Sequence, residues 1–306
     1  MATARIPAIT QKQVVSFLPP RPQDSHKAQF GTVAIIGGNT GMVGASLLAG
    51  RAALKLGAGC VHIGFLAENA PGVDMQQAEL MLHDATTLLH NLPLPTPLPQ
   101  AGEGWGEGAN AKITRYSLAV AIGCGMGTDL AAQKILHDAL KLEITLVLDA
   151  DALNILAMRP DLRSLLVARK AASVITPHPG EAARLLGIET AGVQAARSAS
   201  AQELARRLNC HVVLKGAGSL CVSREGKIWL NDTGNPGMSG PGMGDVLSGM
   251  IAAFIAQGLS VEQAMLLAVH LHGAAGDALA QQQASIGMTA SEVTEWSRWL
   301  LNQWIK

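Results

Sequence analysis

The sequence predicts an α/β fold with a mainly parallel sheet covered on both faces, and three observations predict it. Apolar runs of strand length alternate with helical stretches along most of the chain, the pattern of βαβ units. The runs are continuous rather than interleaved with polar residues, as strands buried on both faces read. Composition agrees: 48% of the residues are hydrophobic and 15% charged, with 33 glycines in 306 residues, where an average domain is about a quarter charged and about 7% glycine. That balance excludes a disordered chain. Lys and Arg (23) equal Asp and Glu (23), so no general electrostatic pull toward nucleic acid or anionic membrane exists. No apolar stretch approaches the roughly 20 residues of a bilayer span, and the N-terminus lacks a basic region followed by an apolar one. Cys60, Cys124, Cys210 and Cys221 stand singly, as reduced thiols do. The expectation is a cytoplasmic enzyme.

Taken in order, GTVAIIGG (31–38) reads as a buried strand ending in glycines, the next twenty residues as a helix, and CVHIGFL (60–66) as the second strand. LAVAIGCG (118–125) is a strand, 129–140 a helix and ITLVLDA (144–150) a strand. A short helix near 152–158, the strand ASVITP (172–177) and a helix from Glu181 follow. The helix 198–208 leads into HVVLKG (211–216), and SLCVSREGKIWLND reads as two short strands joined at Glu225-Gly226. Residues 91–112 are rich in Pro and Gly without periodicity and read as an inserted loop of no catalytic weight. Near the C-terminus, Thr289 and Glu292 have capping-box spacing ahead of a stripe of Val293, Trp296, Leu300, Leu301 and Trp304, a core or subunit-contact face. One domain spanning 1–306 accommodates the whole pattern.

Neither a Walker-type phosphate loop nor a dinucleotide fingerprint is present. The glycines concentrate instead in GNPGMSGPGMGDVLSGMIAA, where Gly240, Gly242 and Gly244 lead into Asp245 and a buried helix. Such a turn offers free backbone N–H groups and a positive dipole end, an anion site suited to phosphate. Asp245 reads either as a simple first-turn cap or as a carboxylate placed to accept a hydroxyl proton beside a transferred phosphoryl group. Asp149 and Asp151 follow one strand, and His178 and Glu181 another, at the sheet edge where open α/β folds bind ligands. The two aspartates could hold Mg²⁺ through water; Glu181 reads equally as a dipole partner and His178 as a loop histidine. Lys215, before Gly216 and Gly218, suits a nucleotide phosphate or a surface turn. His270 and His272 lie two apart on a helix and face different directions, so they suggest no metal pair.

In this order the motifs resemble the ADP-dependent NAD(P)H-hydrate dehydratases: HKAQFGTVAIIGG, GMVGASLLAGRAALKLGAG, AIGCGMG, LVLDADALN, VITPHPGEAARLLG, VVLKGAGS and GMGDVLSGMIAA, over about residues 25–285. The resemblance implies a ribokinase-like three-layer α/β/α sandwich with a mainly parallel central sheet, the nucleotide at its C-terminal edge, and a homotetramer. It implies repair of the S epimer of hydrated NADH or NADPH, with ADP as co-substrate becoming AMP and phosphate in the presence of Mg²⁺. By position it makes Ala45, Gly125 and His178 hydrate-binding residues, and Lys215, Gly216, Ala217, Gly218, Ser219, Gly242 and Gly244 adenine-nucleotide residues. Asp245 falls on the acidic residue at the hydrate, the general base on its hydroxyl, and Glu181 where related kinases place a Mg²⁺-organising glutamate.

Departures from the family pattern bear on these expectations. Pro241 removes one N–H donor from the glycine turn and Met243 a hydroxyl, so a weaker anion site is expected. Cys124 stands where proline is common and Ala28 where glycine is, each with little expected effect. Only about 25 residues precede HKAQFG, so no N-terminal epimerase domain is expected and a separate epimerase would serve the R epimer. The competing expectations are a vitamin-precursor kinase of the same superfamily and a nucleotide-binding protein whose catalysis is lost.

Overall fold

The computed structural model describes residues 6–18, 20–92, 117–283 and 285–305; most of the expected 91–112 loop lies outside them. Nine strands form one sheet: β1 (Thr32–Gly37), β2 (Cys60–Phe65), β3 (Met81–Asp84), β4 (Leu118–Ile122), β5 (Thr145–Leu148), β6 (Ser173–Ile175), β7 (His211–Leu214), β8 (Ser219–Val222) and β9 (Ile228–Asn231). Their spatial order is β3-β2-β1-β4-β5-β6-β7-β8-β9. Pairing is parallel from β3 to β7, and β8 and β9 close that edge antiparallel.

Helices fill the connections: α1 (Gln11–Val15), α2 (Val43–Lys55), α3 (Ala85–His90), α4 (Leu130–Leu140), α5 (Ala150–Met158), α6 (Pro160–Ala168), α7 (Pro179–Leu186), α8 (Thr190–Ala195), α9 (Arg197–Leu208), α10 (Met243–Ala256), α11 (Val261–Gln282) and α12 (Ala290–Trp304). Side chains alternate across each strand, and this sorts the core into two layers. Val33, Ile35, Ala119, Val147 and Val213 pack with Ala49, Val246, Phe254, Leu267 and Val293 of α2, α10, α11 and α12. Ala34, Ile36, Val120, Leu148, Ile175 and Val212 pack on the opposite face with Leu88, Leu136, Leu156, Leu166, Leu186 and Leu204. The predicted strands and helices stand within a few residues of their expected bounds. The edge strand β3 and the short helices α1, α3, α6 and α8 carry too few periodic residues to announce themselves.

The topology fixes the position of the site. From β1 the chain winds outward to β2 and β3, then returns to β4 on the other side of β1 and winds toward β7. The order therefore reverses between β1 and β4, the place where open α/β sheets leave a crevice beyond their strand ends. There the two loops are laced together: Gly38 N–H donates to the Cys124 carbonyl (2.9 Å) and Asn39 N–H to that of Gly125 (2.7 Å).

Candidate functional site

Five loops at the C-terminal edge converge on one polar cluster. After β5 the chain turns sharply at Ala150, whose φ of 45° lies in the left-handed region, a conformation that costs of order 1 kcal/mol in a non-glycine residue. The turn aims Asp149 inward, where it is 1% exposed. Its Oδ1 accepts from Lys215 Nζ at 2.7 Å and its Oδ2 from Ser248 Oγ at 2.8 Å. Burial raises the Asp149 pKa most, but the Lys215 charge and the hydrogen bonds from Lys215, Ser248 and Thr176 together outweigh it and hold the carboxyl below its usual range. Burial likewise pulls Lys215 down, and Asp149 with Glu181 pushes it back above its ordinary value. The two are a buried ion pair.

Glu181 is the third position of α7 and closes a capping box with His178: its Oε2 accepts the His178 N–H at 2.7 Å. His178 Nδ1 accepts from the amides of Gly180 (3.0 Å) and Glu181 (3.4 Å). With Nδ1 an acceptor, the neutral ring carries its proton on Nε2, 3.4 Å from Glu181 Oε1. The Glu181 carboxyl also lies 4.0 Å from Lys215 Nζ. Burial nonetheless raises it to about 7.

Asp245 reaches the cluster from the opposite side. Gly242 is the N-cap of α10 at φ 84°, and Met243, Gly244 and Asp245 form its first turn. Among the described residues the amides of Met243, Gly244 and Asp245 donate to no acceptor, so three oriented donors and the dipole end face the crevice. A Cβ on Gly244 would lie 3.1 Å from Lys215 Nζ; glycine lets the ammonium stand against the helix end. Burial, then the Asp149 charge, push Asp245 up to about 6. Pro241 precedes the N-cap, and Met243 is 7% exposed in the core. Pro241 thus lies outside the row of free amides, and Met243 contributes its amide to that row while its side chain packs inward.

The remaining candidates fall around this centre. Ala45, at the start of α2, packs against Gly125: a Cβ on Gly125 would meet the Ala45 Cβ at 3.0 Å. Gly216, Ala217 and Gly218 lie in the turn between β7 and β8, closed by Oγ of Ser219, the first residue of β8, donating to the Gly216 carbonyl at 3.0 Å. Arg197 of α9 clamps that turn through the carbonyls of Leu214, Lys215 and Gly218 at 3.1–3.4 Å. Nothing local in the sequence marks Arg197. Ser248, one turn beyond Asp245 on α10, was open to discovery from its spacing.

The expected Asp149–Asp151 magnesium pair is not available. Both Asp149 oxygens are taken, while Asp151 accepts from Gly127 N–H at 2.9 Å and Asn154 Nδ2 at 3.2 Å. The described residues bring three candidate ligands together at one place, Cys124, Asp149 and Asp245, within 4.8 Å of one another. A thiol and a carboxylate already paired to lysine do not suit a hard cation that prefers free oxygens and retained waters. The residues therefore do not fit a resident Mg²⁺.

A family model described as NAD(P)H-hydrate dehydratase matches residues 33–298. The ADP-dependent (S)-NAD(P)H-hydrate dehydratase of Neisseria meningitidis is 38% identical over 288 residues, 92% of this chain and 89% of that protein. The bifunctional NAD(P)H-hydrate repair enzyme of Coxiella burnetii is 35% identical over 95% of this chain, which spans 54% of its length. Among solved structures, the ADP/ATP-dependent NAD(P)H-hydrate dehydratase of Bacillus subtilis, co-crystallised with ATP and Mg²⁺, superposes with a TM-score of 0.80 at 28% identity, covering 99% of this chain and 100% of that one. The sheet and its two helical layers are thus a ribokinase-like fold. Among the described residues no helix is long and apolar enough to cross a membrane.

Proposed function

The chain belongs to the NAD(P)H-hydrate dehydratase family, and from that premise we propose that it restores NADH or NADPH from the S epimer of the hydrate, with ADP as phosphoryl donor and Asp245 as general base. The observation that carries the reading is the meeting of Asp245, raised to about 6, with the free amides of α10 and the Lys215–Asp149 pair. A carboxylate poised near neutrality takes a hydroxyl proton efficiently; oriented amides and an ammonium stabilise phosphoryl oxygens.

Hydroxide is a poor leaving group from the reduced nicotinamide ring. Asp245 takes the proton of the substrate hydroxyl as its oxygen attacks the terminal phosphorus of ADP, forming an O–P bond and releasing AMP. The ring nitrogen lone pair then expels phosphate, breaking the C–O bond, and loss of a proton from the adjacent carbon restores the ring double bond. Ala45, Gly125 and His178 line the hydrate side. The turn from Lys215 to Ser219 with Gly242 and Gly244 takes the nucleotide, and Lys215 faces its phosphates while held by Asp149. Mg²⁺ carried by the nucleotide would offset the phosphate charge, and Glu181 is the residue that would accept from its water shell. The test is recovery of NADH absorbance from the purified S hydrate with Mg²⁺ and each of ADP and ATP. Recovery with ADP supports the reading, and no recovery with either nucleotide overturns it.

A further inference from the structure

We propose that Cys124 is a positioning residue for Asp245: its thiol, planted by the turn after β4, reaches across the crevice and donates to the carboxylate that takes the substrate proton. The proposal rests on the assignment of Asp245 as the base. It also revises the expectation that cysteine at this position has little effect.

Three observations carry it. Cys124 is fixed by its backbone: its carbonyl accepts from Gly38 N–H at 2.9 Å and from Ser46 Oγ at 3.1 Å, tying the residue to β1 and α2. Its side chain is 1% exposed, so it has no freedom to turn toward water. Its Sγ lies within 4.8 Å of carboxylate oxygens of both Asp245 and Asp149. Both Asp149 oxygens are already satisfied by Lys215 and Ser248, which leaves Asp245 as the carboxylate with acceptor capacity to spare. A buried thiol between two carboxylates stays protonated, since burial and then the charges of Asp245 and Asp149 raise its pKa. A protonated thiol has one hydrogen to donate.

Donation to a carboxylate favours its ionised form, and the thiol acts on Asp245 in that sense. The other groups acting on Asp245 are Asp149 and Asp151, which oppose ionisation, and Lys215, which favours it. His272 of α11 lies in the field of Lys215 and is itself held neutral, down to about 4, chiefly by burial. The charged groups of α2, which packs along α10, turn elsewhere: Arg51 pairs with Asp74 and Lys55 with Glu295. Removal of the thiol hydrogen therefore moves Asp245 upward.

The experiment is a ¹³C NMR titration of the Asp245 carboxyl in the full-length resting protein, wild type against Cys124→Ala and Cys124→Ser, beside the pH profile of kcat/KM. In Cys124→Ala the carboxyl midpoint and the acidic limb of kcat/KM move together to higher pH by about half a unit or more, a thiol being a weaker donor than those worth one to two units. Turnover then falls more at pH 5.5 than at pH 8, and the hydroxyl of Cys124→Ser restores part of the shift. An unmoved midpoint in Cys124→Ala, or an equal loss of turnover at every pH, overturns the proposal. Should the variants fail to fold, the infrared S–H stretch of the wild type decides: it shifts to lower frequency as Asp245 ionises, and a band constant across that range overturns the proposal. Because the titration reads the resting protein, it stays separate from the function itself, which fails only if the wild type repairs no hydrate.

Discussion

At the residue scale the site works by committing some carboxylates and leaving others free. Asp149 and Asp245 both stood out in the sequence as acidic residues past an apolar strand or before a buried helix, and composition could not divide their roles. The structure divides them by partners: Asp149 is spent on Lys215 and Ser248, while Asp245 keeps its acceptor capacity and a raised pKa. Replacement of Asp245 by Asn retains shape and helix-end placement but removes the proton acceptor. Turnover of the hydrate is expected to fall by roughly 10²–10⁴-fold, while the binding constant for ADP, measured by calorimetry, changes little. Turnover within threefold of wild type would remove Asp245 from its role. The glycine turn, Lys215, His178 and Glu181 were legible because their motifs are local. Arg197 and Cys124 were not, because their partners lie across the fold: Arg197 acts on a turn some twenty residues on, and the Cys124 thiol meets a helix more than a hundred residues away.

At the element scale the precision of the site depends on how closely α10 lies on α2. Gly249 of α10 stands against Ala49 of α2, where an added Cβ would collide with the Ala49 carbonyl, a backbone atom unable to swing aside. A glycine inside a helix costs helix propensity, and here that cost allows the approach that sets the α10 N-terminus over the crevice. Gly249→Ala is expected to destabilise by about 1–3 kcal/mol through forced separation and to raise KM for ADP, since the amides of Gly244 and Asp245 move with the helix. The contrasting substitution is Gly192→Ala in α8, where the nearest atom to an added Cβ is a flexible Ile188 methyl at 3.7 Å. It should stabilise by about 0.5–1 kcal/mol and leave KM unchanged. Urea denaturation and steady-state kinetics on both variants check the pair; equal effects at the two positions would remove the packing argument. The glycine excess in the composition thus covered two uses that a count cannot separate, close helix contact and backbone turned to a ligand.

At the scale of the whole molecule, burying titratable groups around one crevice makes stability depend on pH with a sign that can be worked out. Glu181 is raised from 4.5 to about 7 by burial, so between those values the folded protein holds a proton that the unfolded chain has released. Its contribution falls as pH rises through that window and is constant above it. Asp245, raised from 3.8 to about 6, acts in the same direction over a lower window. His272 opposes them: burial lowers it from 6.5 to about 4, so its contribution is lost as pH falls through that range. The wild-type curve is therefore a sum of opposed slopes, and a single variant isolates one of them. Glu181→Gln keeps an acceptor for the His178 amide and removes the titration. Its stability relative to wild type should rise between pH 4.5 and 7 by up to roughly 3 kcal/mol, the upper bound that a shift of this size allows, and stay level above pH 7.5. Parallel urea titrations of the two proteins at half-unit intervals measure the difference directly. A difference that is flat across the window would mean that Glu181 ionises in the folded crevice as readily as in water, with Lys215 compensating its burial in full.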